Sequence, residues 1–306
     1  MKRVYHICLS GNNEIIFRDN DDYIYGINCL CLATHKTNAS LLAYAFMSNH
    51  VHIGVRCEEP KKLMQIFRYA YARYFNNKYG RAGRLGEKNF YQIEIEGTYH
   101  FLTAIAYILR NPLHHGIAAT PFGYKYSSIN SLFQKELGRD SNLIIMHARF
   151  QHIYLPENNK LPPNYIMNSE GLMIPESVID ITDVQHQFSN ARTFLYYMNR
   201  LSGESWEKEQ LQDKTDLPPI TLESIERSNF GQSLQTMLNN EHGKANYNAI
   251  SDIELCYEID KVILPKLNVS SVYKLSQANY NKVVKALQKK YHISKEQLNR
   301  CLPVLK

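Results

Sequence analysis

The heptapeptide Met47-Ser48-Asn49-His50-Val51-His52-Ile53 ends in a strict polar–apolar alternation. Along a β-strand successive side chains point to opposite faces, so His50 and His52 share one face and Val51 and Ile53 the other. Two imidazoles then meet one small volume, which suits a divalent cation or a phosphate. The same pattern also fits a core histidine beside a surface one, so the pair needs a third ligand and a nucleophile before it means chemistry.

Outward from this strand the chain alternates between two periods. Val4–Ser10 reads as a strand and Gly11-Asn12-Asn13 as a turn. Asp21–His35 has acidic residues at its start and apolar positions at helical spacing. Ser40–Met47 and His50–Val55 read as strands broken at Ser48-Asn49. Pro60 can open a helix that runs to about Tyr79, because its missing N–H would be unpaired there anyway. Gly80–Gly86 reads as a flexible loop and Phe90–Ile95 as a strand. Thr98 is an N-cap for a helix that ends at Asn111-Pro112. The order β-α-β-β-α-β-α, with short antiparallel strands and helices on one face, predicts an α+β domain close to the ferredoxin-like type.

That last helix carries Tyr107 and Asn111, four residues apart and roughly 40° from alignment at 100° per residue. A phenol and an amide oxygen are thus offered on one face, although Tyr107 could simply pack and Asn111-Pro112 could be an ordinary terminator. Tyr91 and Tyr99 are the nearest other phenols, and neither has an amide four residues on.

At 306 residues, 44% of them apolar and 21% charged, the chain reads as globular and about two domains long. No run approaches the ~20 apolar residues of a spanning helix. Met-Lys-Arg-Val-Tyr-His lacks the apolar stretch of a secretory signal, so a cytoplasmic location is expected, with no membrane partner. Six cysteines without a C-x-x-C pair argue against a zinc ribbon and a disulfide framework.

The net charge of +6 lies entirely in the first part: residues 1–130 carry 15 basic and 9 acidic groups, residues 131–306 carry 20 and 20. Between 61 and 88 stand Lys61, Lys62, Arg68, Arg73, Lys78, Arg81, Arg84 and Lys88 against Glu87 alone. Phe67, Tyr69, Tyr71, Tyr74, Phe75 and Tyr79 are interleaved with them. Positive charge supplies phosphate affinity and aromatic faces stack on unpaired bases, which suits single-stranded nucleic acid. The aromatic positions fit equally well an amphipathic helix turned to a core.

Residues 131–220 read as a connector with partial helices, rich in proline between Leu155 and Pro175. Residues 221–306 read as a helical domain, with segments at Asp252–Leu267, Ser276–Tyr291 and Ser294–Leu302. They could form a helix-turn-helix or a small bundle without nucleic-acid contact.

Over roughly residues 3–130 the chain resembles the REP-associated tyrosine transposases, of the single-tyrosine HUH transposase superfamily. The resemblance rests on Tyr5-His6 with Gly11-Asn12, Ile16-Phe17-Arg18-Asp19, the His50-Val51-His52 strand, Tyr107-Ile108 with Asn111-Pro112 and Gly116, and Tyr124 with Ser127-Ser128. It implies an HUH domain over 1–130, His50, His52 and Asn111 as ligands of Mg²⁺ or Mn²⁺, and Tyr107 as nucleophile. The implied activity is cleavage and strand transfer on single-stranded or hairpin DNA through a 5′-phosphotyrosine link, by a monomer or homodimer. The arginine usual after the first strand is absent at Cys8-Leu9-Ser10, and His114-His115 intervene before Gly116.

A tyrosine with a pKa near 10 is a poor nucleophile at neutral pH, so such a site needs a cation to make the phosphate electrophilic. Lys61, Lys62, Arg68, Arg73, Arg81, Arg84 and Lys88 are the candidate DNA contacts. His6 is expected to neighbour the HUH strand, in a structural role at least as readily as a catalytic one. Two other readings stand beside this one: a domesticated, non-catalytic binder of palindromic DNA or RNA, and a nuclease in which water attacks.

Overall fold

The computed structural model describes residues 1–11, 14–139, 143–200, 206–226 and 250–303, so Asn12 and Asn13 of the expected turn lie outside the described residues. β1 (Arg3–Ser10), α1 (Asn20–Lys36), β2 (Ser40–Phe46), β3 (His50–Cys57), α2 (Pro60–Tyr79), β4 (Tyr91–Ile95) and α3 (Thr98–His114) follow in the expected order. The four strands form one antiparallel sheet in the order β2-β3-β1-β4, the ferredoxin-like arrangement, and a mainly helical C-terminal region follows.

The sheet is covered on both faces, not one. Tyr5, Ile7 and Leu9 of β1 and Val51, Ile53 and Val55 of β3 form a core with α1 and α2. Val4 of β1 and Leu42, Ala43 and Ala45 of β2, with Ile93 and Ile95 of β4, meet α3 in a second core. The central strands are therefore apolar or buried on both sides, and β3 is buried along its length except at Arg56.

Local chemistry explains the helix ends. Asp19 caps α1 by accepting from the Asp22 N–H, and His35 and Lys36 lie in its last turn, where positive charge meets the helix dipole. In α2, Leu63, Met64, Phe67, Tyr71, Phe75 and Tyr79 turn inward, so most of the interleaved aromatics are core residues. Tyr69 is 72% exposed.

The expected ends of α3 are revised. Its N-cap is Gly97, at φ 100, and the free N–H groups of Tyr99 and His100 donate to the Asp213 carboxylate at 3.1 and 2.8 Å. A distant carboxylate thus supplies the capping expected of Thr98. The helix also continues through Pro112 to His114. So close to the helix end, proline removes one hydrogen bond without stopping the turn.

Residues 131–220, expected as connector, contribute Phe133, Phe188, Phe194, Tyr197 and Trp206 to the α3 core. The last helices form a third core, joined by Ile15. They comprise a continuous helical stretch from Asp252 to Lys266, then Gln277–Lys290 and Lys295–Cys301, begun by the caps Ser251, Ser276 and Ser294. Buried Arg18 reaches them through both Asp260 oxygens, at 2.7 and 2.8 Å, and Ser48 donates to Asp252 at 2.9 Å. Among the described residues no helix is long and apolar enough to cross a membrane, and all six cysteines are buried and outside any disulfide.

Candidate metal and tyrosine site

The antiparallel register sets Cys8 opposite His52, Ser10 opposite His50 and His6 opposite Gly54. His6, His50 and His52 therefore sit together on the α3 face, all fully buried. Gly54 continues that face. A Cβ there would lie 2.8 Å from Ile105 Cδ1 and 3.1 Å from Ile108 Cδ1, so the bare glycine lets α3 pack close to the sheet. This close approach carries Tyr107 and Asn111 to the histidines.

The site residues expected from the sequence meet here. His50 Nε2 is 3.0 Å from Asn111 Oδ1, and the His50 and His52 ring centroids are 5.1 Å apart. The Tyr107 ring lies 5.3 Å from that of His52. His50 Nδ1 also lies 2.8 Å from Asn49 Oδ1. A neutral imidazole has one N–H, so it cannot donate to both oxygens. If Nδ1 donates to Asn49, Nε2 points a lone pair at Asn111, which a rotated amide or a cation resolves.

Sequence reasoning left His6 largely to structure, and its ring proves to be the partner of His52, with Nε2 2.8 Å from His52 Nδ1. That contact holds the His52 ring and leaves its buried Nε2 without a hydrogen-bond partner among the described residues. A metal-binding imidazole is oriented in the same way, by a partner on its other nitrogen. Burial pushes His6 down to about 3 and His50 to about 4. Burial and then the neighbouring imidazoles hold His52 well below its ordinary value. All three are neutral near pH 7 and offer lone pairs.

Burial and the Glu226 carboxylate push the Tyr107 phenol well above its usual range. Its hydroxyl donates to Glu226 at 2.7 Å, and the residue is 1% exposed. His114 Nε2 lies 3.0 Å and His115 Nε2 3.7 Å from the same Glu226 oxygen. No sequence signal pointed to Glu226, which is 119 residues from Tyr107. The spacing His50-x-His52-x-Gly54 could have pointed to Gly54.

The basic segment lies on the other side of the sheet, since α2 packs against the α1 face. Lys61, Arg68, Arg73 and Arg84 line a groove of about 480 Å³ with Tyr69 and Phe90. Several charges of the basic segment have partners: Arg73 pairs with Glu157, Lys78 with Asp19 and Asp22, Arg81 with Glu14, and Lys62 with Glu59. Arg68 donates to the carbonyls of Glu87 and Lys88. The loop beyond α2 returns to the site's edge, where the Glu87 N–H donates to the Ser10 carbonyl opposite His50.

No protein-family model and no curated protein matches the chain. The chain is similar in part to a solved REP-associated tyrosine transposase bound to a REP hairpin, with a TM-score of 0.36 and 13% identity over 45% of this chain and 82% of that one.

Proposed function

We propose that the protein cleaves and rejoins single-stranded, hairpin-forming DNA through Tyr107, with Mg²⁺ or Mn²⁺ held by His50, His52 and Asn111. The observation that carries this reading is the convergence, in one buried volume, of the phenol, the His50–Asn111 contact and a His52 Nε2 that has no hydrogen-bond partner among the described residues. Two imidazoles and an amide oxygen leave positions open on a divalent ion, and the ion would polarise a scissile phosphate and offset its developing charge.

Tyr107 Oη attacks phosphorus, the bond from phosphorus to the 3′ oxygen breaks, and the departing 3′ oxygen ends as a hydroxyl with the proton the phenol gave up. The 5′-phosphotyrosine keeps the ester energy, so attack by a 3′-hydroxyl rejoins DNA without a nucleotide cofactor. Because Tyr107 is closed under Glu226, the strand reaches it only when that contact opens.

The test incubates the full chain with labelled hairpin-flanked single strands and Mn²⁺, then separates products under denaturing conditions. A metal-dependent covalent adduct, absent from Tyr107→Phe, is expected. Free cleaved ends without adduct would shift the reading to attack by water. The closure of Tyr107 favours a second reading, a non-catalytic binder of palindromic DNA or RNA; bound but unchanged DNA is its result.

A further inference from the structure

His114 and His115 stand at the C-terminal end of α3, and the tyrosine chemistry above uses neither. Both rings turn toward Glu226, which reaches them from a distant segment, at 3.0 and 3.7 Å from the same carboxylate oxygen. One ligand atom from each of the three residues lies within 4.8 Å of the others. A tetrahedral ion with bonds of about 2.0–2.2 Å sets its ligand atoms about 3.3–3.6 Å apart, so these spacings bracket that geometry. The Tyr107 hydroxyl, 2.7 Å from the same oxygen, stands beside them. The cluster also has an entry path, because the His114 and Glu226 side chains are 24% and 25% exposed.

We propose that His114, His115 and Glu226 form a second divalent transition-metal site, separate from His50, His52 and Asn111, with the Tyr107 oxygen as its fourth ligand. Two imidazoles and one carboxylate are the donor set of zinc sites that keep one position open. Imidazole favours Zn²⁺ or Co²⁺ over Mg²⁺, and what sets this donor set apart from His50, His52 and Asn111 is the charged carboxylate in place of a neutral amide. On binding, the Tyr107 O–H bond breaks, its proton goes to solvent, and an oxygen–metal bond replaces it. The ion would tie Glu226 to α3 and hold the phenol oxygen. This site does not depend on the DNA chemistry proposed for Tyr107.

The test titrates the full chain with Co²⁺ in excess Mg²⁺, reading the ligand-field absorption of tetrahedral Co²⁺ and the ultraviolet difference signal of tyrosinate, then displaces Co²⁺ with Zn²⁺. The tetrahedral band is expected in the wild type and in the His50→Ala/His52→Ala variant. It should be lost in His114→Ala/His115→Ala and shifted to higher Co²⁺ concentration in Glu226→Gln, a near-isosteric change that keeps the fold. Tyr107→Phe should still bind the ion while losing the tyrosinate signal. An unshifted Glu226→Gln titration, or a band that vanishes only with His50 and His52, overturns the site. Absence of a tyrosinate signal in the wild type removes Tyr107 from it.

Discussion

The two faces of the sheet are built from alternate residues of the same strands, yet they carry different side chains. On the α1–α2 side, Val51, Ile53 and Val55 meet Phe17, Phe46 and Phe67 in an apolar core, while the basic side chains of α2 stand on its outer surface. On the α3 side, His50 and His52 stand between those same apolar residues with His6 beside them, and Tyr107 and Asn111 close over them. A period of two lets one strand anchor itself with one set of side chains and hold reactive groups with the next. On the proposed function, stability and chemistry are separated by single residue steps.

Neighbouring substitutions test that separation most sharply. His52→Ala should reduce metal-dependent adduct formation by at least about 10²-fold, because it removes a ligand that offsets charge as the phosphate reacts. It should also cost some stability, because it empties a fully buried site and takes from His6 Nε2 its partner at 2.8 Å, but adduct formation per folded molecule should still fall. Ile53→Ala should act on stability alone. Removing a fully buried side chain costs about 2–5 kcal/mol in urea unfolding while activity per folded molecule stays close to wild type. If both substitutions acted on stability alone, the two faces would not be distinct in function.

Gly54 is where one face constrains the other. Gly54→Val would press two methyl groups toward Ile105 and Ile108, costing about 1–3 kcal/mol and moving α3 outward. Adduct formation should fall along with stability, because Tyr107 and Asn111 ride on that helix. A stability loss with full activity would show that close packing of α3 is not what positions the phenol.

What was legible in the sequence follows the same division. Periodicity and turn chemistry gave the order of elements, the basic helix and the three C-terminal segments, because those signals lie within a few residues of one another. His50, His52, Tyr107 and Asn111 were visible through local spacing. The His6–His52 contact spans 46 residues and the Tyr107–Glu226 contact 119, so no local pattern encodes them. The capping of α3 by Asp213 was hidden for the same reason, and Thr98 stood as a plausible local substitute. Composition placed the basic segment but not the sheet face it occupies.

Acid should weaken the histidine face first. His6 and His115, each pushed down to about 3, and His50, to about 4, stay neutral in the fold, while their unfolded counterparts take up protons below about 6.5. Their contribution is therefore complete above that pH and is lost as pH falls from about 6.5 toward 4. Each group removes about 1.4 kcal/mol per pH unit within the window. Urea midpoints measured in chelator at pH 7.5, 6 and 5 should show the decline, and His6→Gln should make it shallower. A slope unchanged by His6→Gln would mean that His6 titrates alike in both states.

The smallest effects belong to the outer surface of α2, where partners rank the basic residues. Lys78 is held by Asp19 and Asp22, and Arg81 by Glu14, so a DNA phosphate must compete with carboxylates already in place. Lys61, Arg84 and Lys88 have no ion pair among the described residues, and Lys61 and Arg84 line the groove with Tyr69. Each contact to single-stranded DNA contributes about 0.7 to the slope of log affinity against log salt. Replacing Lys61 or Arg84 with Ala should lower the slope by about that amount, and Lys78→Ala by less. A larger loss from Lys78 than from Arg84 would place the strand along the α1 edge instead of the groove. If none of the three changed the slope, the DNA would have to approach from the α3 face alone, and the charge on α2 would have no part in holding it.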